Sequence, residues 1–90
     1  MLFMSTYTFE PAARNEVVKR RLERGTGVPQ GLKVIGEWFY LGSHKGFILF
    51  ETDDPKCIMG MAMPWADLMK WDTVPVMEIE EVLKLAQSMK

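Results

Sequence analysis

The sequence has very little of the two residue types that most often carry metal or redox chemistry. Its single cysteine, Cys57, excludes an internal disulfide and a cysteine-based zinc site, and it favours a reducing, cytoplasmic compartment. Its single histidine, His44, leaves little for metal binding or for a catalytic triad. Sulfur recurs at Cys57, Met59, Met61 and Met63, but residues two apart on a helix do not face one another. We therefore predict no metal and no cofactor.

Two further absences limit the partners. Eleven Lys and Arg against 12 Asp and Glu leave a net charge of −1, which lacks the positive field that draws proteins to nucleic acid. Hydrophobic runs are also short, and none approaches the roughly 20 residues that a membrane-spanning helix needs. We predict neither a nucleic-acid partner nor a membrane partner.

What is present is typical of one folded domain, residues 1–90, with 48% hydrophobic and 26% charged residues. Breaks at Gly and Pro divide it into segments with the period of a strand or of a helix. Strands are predicted over 2–9, 32–41, 47–52 and 71–77, and helices over 11–24, from 55 to about 69, and 79–89. Pro64 should kink the second helix, because its ring clashes with the preceding turn.

This order, β-α-β-β-α-β with a C-terminal helix, predicts an α+β ferredoxin-like sandwich. The four strands form an antiparallel sheet in the order 4-1-3-2, with two helices on one face. Pro75 suits an edge strand. On the last helix, Ile79, Val82, Leu83, Ala86 and Met89 are expected to face inward.

Both faces of the predicted sheet are apolar. Alternation places Leu2, Met4, Val34, Trp38, Ile48 and Phe50 on the face that we expect beneath the helices. It places Phe3, Tyr7, Glu37, Phe39, Leu49 and Glu51 on the open face. Monomers rarely expose such a patch, so we predict that this face meets a second copy of the chain.

A family resemblance lies in a series of short motifs along nearly the whole chain. In order, they are Met1-Leu2-Phe3-Met4 with Tyr7 and Pro11, Gly36-Glu37-Trp38, Gly46-Phe47, Glu51-Thr52-Asp53-Asp54-Pro55, Trp65-Ala66-Asp67-Leu68 and Pro75-Val76. The series resembles the family catalogued as domain of unknown function 3303, which is similar to the dimeric α/β-barrel superfamily. The resemblance implies two ferredoxin-like sheets facing one another across a cavity, and it implies no catalytic residue.

Glu37 and Glu51 are the first candidates for chemistry. If the hairpin pairs residue 41 with residue 47, the two carboxylates lie opposite each other, about 5 Å apart. Such a pair in an apolar cavity could act as acid and base. The alternative, which we favour, is that each is a structural carboxylate that faces solvent or forms an ion pair.

The remaining candidates have simpler explanations. Tyr7 could donate a proton or anchor a ligand, but it also fits an interface aromatic residue. His44, in the hairpin turn, could gate a site or have no role. The strand order is shared with RNA-recognition modules, where Phe3 and Phe47 would stack on bases, but Glu51 on the same predicted face would repel phosphate.

We predict a homodimer that binds a small, mainly apolar molecule in a cavity between the two sheets, lined by Phe3, Tyr7, Glu37, Phe39, Leu49 and Glu51. One alternative is a cofactor-free monooxygenase or isomerase in which Glu37 or Glu51 abstracts a proton and Tyr7 polarises the substrate. A second alternative is a purely structural dimer without a cavity. The sequence favours binding over catalysis.

Overall fold

A computed structural model describes residues 1–89 and has the predicted architecture. Its elements are, in order, β1 (Leu2–Thr8), α1 (Arg14–Arg24, after a 3₁₀ turn at Pro11–Ala13), β2 (Leu32–Phe39), β3 (Lys45–Thr52), α2 (Pro55–Ala62), β4 (Lys70–Pro75) and α3 (Ile79–Ser88). The strands form one antiparallel sheet in the order β2-β3-β1-β4. The predicted fold class and strand order are confirmed, and Pro75 ends an edge strand.

Local signals explain where the helices begin and end. The Asp54 side chain accepts a hydrogen bond from the backbone N–H of Lys56, and Pro55 occupies the first turn of α2. The expected kink at Pro64 is instead the end of α2. The proline cannot continue the α-helical hydrogen bonding, and the chain passes into a 3₁₀ turn at Met63–Trp65. Gly25 ends α1 with a positive φ of 66°, which other residues adopt only with strain.

The core lies between one face of the sheet and the helices. Its most buried side chains are those of Phe50, Ile48 and Met61, and Phe3 stacks on Phe50 with ring centroids 5.6 Å apart. Trp65, just after α2, is also buried. Burial of such large apolar side chains is the main favourable term in the stability of this small domain.

The predicted face assignment is wrong for β1. Phe3 pairs with Phe50, and Ser5 pairs with Ile48, so the odd-numbered residues of β1 lie beneath the helices. Ser5 and Tyr7 are buried there. The physical reason is that the even-numbered positions of β1, Leu2 and Met4 included, are also apolar, so alternation alone could not choose the covered face.

The β2–β3 hairpin does not have the register that would place Glu37 opposite Glu51. That juxtaposition depended on a pairing of residue 41 with residue 47, whereas Phe39 pairs with Gly46. In addition, the register shifts between Val34 and Gly36, which is the mark of a β-bulge. A shift by an odd number of residues moves a side chain to the opposite face. Trp38, predicted beneath the helices, therefore lies on the open face, and Glu37 and Phe39, predicted on the open face, lie on the covered one.

α3 forms where the sequence predicts it, but its apolar stripe does not face inward. Ile79, Leu83 and Met89 are all exposed, Leu83 by 60%. The radius of gyration is 15.2 Å, compared with about 12 Å for a compact chain of this length. The chain is therefore elongated, and part of its apolar surface is uncovered. Among residues 1–89, no helix has the length and hydrophobicity required to cross a membrane.

Candidate functional site

A cavity of about 630 Å³ lies between α1 and the covered face of the sheet. Its lining is mainly apolar or aromatic, with a few polar and charged groups. The lining residues are Tyr7, Phe9, Arg14, Val17, Val18, Arg21, Leu22, Thr26, Glu37, Phe39, Gly42, Ser43, His44, Ile48, Trp65, Met69 and Trp71. The volume falls within the range of about 300–1,000 Å³ that is usual for small-molecule sites.

One side of α1 forms the roof of the cavity. Arg14, Val17, Val18, Arg21 and Leu22 occupy positions i, i+3, i+4, i+7 and i+8, which lie on one face of a helix. In most small domains this stripe would be wholly apolar and would pack directly on the sheet. Here it carries two arginines, and the space beneath it is the cavity.

The floor of the cavity is built by the sheet. Ile48 at its centre is almost fully buried, and Tyr7 packs against Trp71 with ring centroids 5.4 Å apart. At the end of the sheet where β1 terminates, the Phe9 ring packs against the rings of Phe39 and His44. The distances between ring centroids are 6.2 Å and 5.4 Å. The floor therefore offers a flat aromatic and aliphatic surface.

A polar network crosses the cavity from the sheet to α1. The Tyr7 hydroxyl donates to Glu37 Oε2 over 2.7 Å, and Arg21 donates to both oxygens of the same carboxylate, with Nη1 at 2.9 Å from Oε2. The Glu37 side chain is only 18% exposed, and the Arg21 side chain 41%. The bidentate geometry suits a planar guanidinium, which positions α1 over β2.

The network decides which protons are held in the cavity. Burial on its own raises the pKa of Glu37, but the hydrogen bonds from Arg21 and Tyr7 outweigh it and bring this pKa below its ordinary 4.5. Burial, then the hydrogen bond to Glu37, raise the pKa of Tyr7. At neutral pH the site therefore holds a carboxylate, a guanidinium and a protonated phenol.

Gly46 makes room for this network. It lies opposite Tyr7 in the sheet, and a Cβ atom at this position would overlap the Tyr7 hydroxyl and ring. Because the glycine leaves this space, the phenol reaches across β3 to Glu37 on β2. The close approach of another group is a common reason for glycine within a strand.

Trp71 holds a polar atom without a partner. Its indole Nε1 is buried and has no hydrogen-bond partner among residues 1–89. A buried donor left unpaired costs about 1–3 kcal/mol. The cost falls on a residue that lines the cavity.

The structure brings together three of the six residues predicted from the sequence to line a site. Tyr7, Glu37 and Phe39 line the cavity, and Phe3 lies on the same covered face but packs on Phe50 in the core. Their role in ligand binding stays a prediction.

Leu49 and Glu51 lie on the opposite face of the sheet. Leu49 pairs with Met4 and Glu51 with Lys33. The predicted juxtaposition of Glu37 and Glu51 is therefore wrong, because Glu37 pairs with Ile48 in the observed register and its side chain lies beneath α1. The two carboxylates cannot act on the same substrate within one subunit.

Arg14, Arg21 and Trp71 line the cavity but were not predicted from the sequence. Basic residues alternate with acidic ones on α1, which resembles a solvated helix face. The available signal was the spacing, since Arg14 and Arg21 share a stripe with Val17. A carboxylate predicted on a largely apolar sheet face also requires a cation nearby.

Comparison with known proteins gives the family but no activity. A search of curated proteins finds no match. Among solved structures, an uncharacterized NIPSNAP domain protein from Burkholderia xenovorans is similar, with a TM-score of 0.60 at 16% identity, over 87% of this chain and 94% of that one. This likeness supports the ferredoxin-like fold. The family DUF3303, a domain of unknown function, matches residues 1–90, and the chain therefore belongs to this family.

Proposed function

We propose that the protein binds a small, mainly apolar molecule in the cavity between α1 and the sheet. The observation that carries the proposal is the cavity itself, about 630 Å³ in volume and floored by Tyr7, Ile48 and Trp71. Binding sites for small molecules combine such apolar walls with a few placed polar groups. The Tyr7–Glu37–Arg21 network supplies those groups.

This site differs in place from the one predicted by sequence. A cavity between the sheets of two copies was predicted, whereas this cavity lies within one chain, beneath α1. Tyr7, Glu37 and Phe39 remain in the proposed site. Leu49 and Glu51 are removed from it, because they lie on the other face.

The geometry favours binding over turnover. Glu37 accepts three hydrogen bonds and has a lowered pKa, so it is a poor general base. The Tyr7 hydroxyl already donates its hydrogen bond to Glu37, and the raised pKa of the phenol makes it a weak acid. Neither group is poised for the proton transfer that a cofactor-free oxygenase or isomerase requires.

We also propose that the open face of the sheet pairs with a second copy of the chain. The face is apolar, with Trp38 stacked on Phe47 and half exposed, and Leu49 beside them. The exposed stripe of α3 adds further apolar surface that one subunit leaves uncovered. An isologous dimer can cover both surfaces at once.

Charge supports a second copy as the occupant. Lys45 and Lys70 flank Thr8 at one end of the open face. The first turn of α3 carries Glu80 and Glu81. A dimer that brings these lysines of one copy toward the α3 glutamates of the other is electrostatically complementary.

A reducing, cytoplasmic compartment is part of the proposal, since Cys57 is a free, buried thiol.

The experiment uses N-phenyl-1-naphthylamine, a neutral aromatic probe, followed by fluorescence and by native mass spectrometry. We expect one probe per subunit on a dimer. Val18→Trp fills the cavity from α1 and should weaken binding at least about tenfold, because the apolar contacts of the probe are lost.

Val28→Trp is the matched control, because Val28 is exposed in a loop and does not line the cavity. It should bind the probe as the wild type does. Equal probe binding by the Val18→Trp and wild-type proteins would place the probe elsewhere and contradict the proposal.

A further inference from the structure

The cavity carries more positive than negative charge. Its charged lining groups are Arg14, Arg21 and Glu37, which sum to one net positive charge. Arg21 and Glu37 neutralise each other through their bidentate pair. Arg14 has no ion pair and no side-chain hydrogen bond within residues 1–89, so its charge is uncompensated in the part of the chain that the structure describes.

The charged groups also have donors in excess. Three hydrogen bonds occupy the oxygens of Glu37. A guanidinium has five N–H groups, of which Arg21 uses two on Glu37 and Arg14 uses none on the described residues. These groups can therefore still donate hydrogen bonds to a ligand. Such donors favour an anion and disfavour a cation.

The free cation lies at one end of the cavity. β1 ends at Thr8, and the Phe9 N–H donates to the His44 carbonyl over 3.1 Å. Arg14 begins α1 five residues after Phe9, so Arg14 and His44 belong to the same end of the sheet. Arg14 is exposed, whereas Ile48 on the floor is almost fully buried. The uncompensated charge of Arg14 is thus at the exposed rim of the cavity mouth, while the Arg21–Glu37 pair and the apolar floor lie deeper.

We infer that the ligand of this cavity is an amphipathic monoanion, with an apolar body on the floor and one anionic group, such as a carboxylate, at the mouth. Arg14 receives the anion there, and His44, which lines the same cavity, is a second polar group available to it. This inference rests on the proposed function and adds the ligand class. A single negative charge balances the lining, whereas a dianion would leave excess charge against apolar walls.

Two probes with the same aromatic body test the ligand class. 1-Anilinonaphthalene-8-sulfonate carries one negative charge, and N-phenyl-1-naphthylamine carries none. In the wild type we expect the sulfonate to bind more tightly. Arg14→Gln should weaken sulfonate binding roughly fivefold, because one charge-assisted contact at an exposed site is lost, and should leave the neutral probe unchanged.

Lys19→Gln is the matched control. Lys19 is exposed on the same helix, does not line the cavity, and its loss changes the net charge by the same amount. We expect it to change neither affinity. If Arg14→Gln leaves the ratio of the two affinities at its wild-type value, the ligand class is wrong, while binding of the neutral probe still supports the cavity. If Val18→Trp leaves the binding of both probes intact, the cavity proposal itself fails.

Discussion

At the scale of single residues, Glu37 decides how the site is held. A carboxylate in a largely apolar cavity loses hydration, and only direct hydrogen bonds compensate for that loss. Tyr7 reaches it from β1, and Arg21 reaches it from α1, so three elements meet at one side chain. The Arg21–Glu37 pair spans the cavity and keeps α1 at a distance from the sheet.

Glu37 should make stability depend on pH. Its folded-state pKa lies below the ordinary 4.5, so the unfolded chain takes up the proton first as the pH falls. The stabilisation is complete above the unfolded pKa and is lost as the pH falls through the folded one. Glu37→Gln should lower the free energy of unfolding by about 1–3 kcal/mol at neutral pH and flatten its dependence on pH below about 5.

Urea denaturation of wild type and variant between about pH 7 and pH 3 checks this, since each curve gives a free energy of unfolding. Glu51→Gln is the control, because Glu51 is exposed and lies outside the network. Parallel pH profiles for the Glu37→Gln and wild-type proteins would contradict the lowered pKa of Glu37 in the folded state.

At the scale of elements, the type and order of the helices and strands follow from the sequence. Asp54 and Pro55 signal the start of α2, Gly25 follows α1, and Pro75 suits an edge strand, each for a local steric or hydrogen-bonding reason. Such signals depend on neighbours in the chain. They can therefore be recognised without knowledge of the tertiary structure.

Register does not follow in the same way. The bulge between Val34 and Gly36 and the pairing of Phe39 with Gly46 set which side of β2 meets which side of β3. Both faces of these strands are apolar, so a register shifted by one residue would satisfy the hydrophobic pattern equally well. Tyr7 and Glu37 were rightly assigned to one face, but to the open face instead of the covered one. Glu51, assigned with them, is the residue of the three that lies on the open face.

α3 shows the same limit for a helix. Its amphipathic period predicts a helix, and the helix is there. The period does not say what the stripe packs against. Val82 and Leu83 are exposed, so the stripe packs against no other part of the described chain.

At the scale of the whole molecule, the uncovered apolar surfaces predict self-association. Leu49→Glu places a charge in the centre of the open face and should convert a dimer to a monomer of 10.4 kDa, because an interface that buries an unpaired charge loses several kcal/mol. Light scattering coupled to size-exclusion chromatography measures the mass.

Leu41→Glu is the matched control, since Leu41 is 97% exposed in the β2–β3 turn. It should leave the mass unchanged. A wild type that is already monomeric at micromolar concentration, or a Leu49→Glu variant that stays dimeric, would exclude the open face as the interface.

Entry of an apolar ligand into the cavity beneath α1 can be followed through the three tryptophans. Trp65 and Trp71 line the cavity, whereas Trp38 lies on the open face. We would titrate N-phenyl-1-naphthylamine into ¹⁵N-labelled protein and follow the three indole N–H signals, with Trp38→Phe to assign one of them. If the probe enters the cavity, the Trp65 and Trp71 signals shift while that of Trp38 stays in place. A shift of Trp38 alone, or no shift at all, would contradict entry into the cavity.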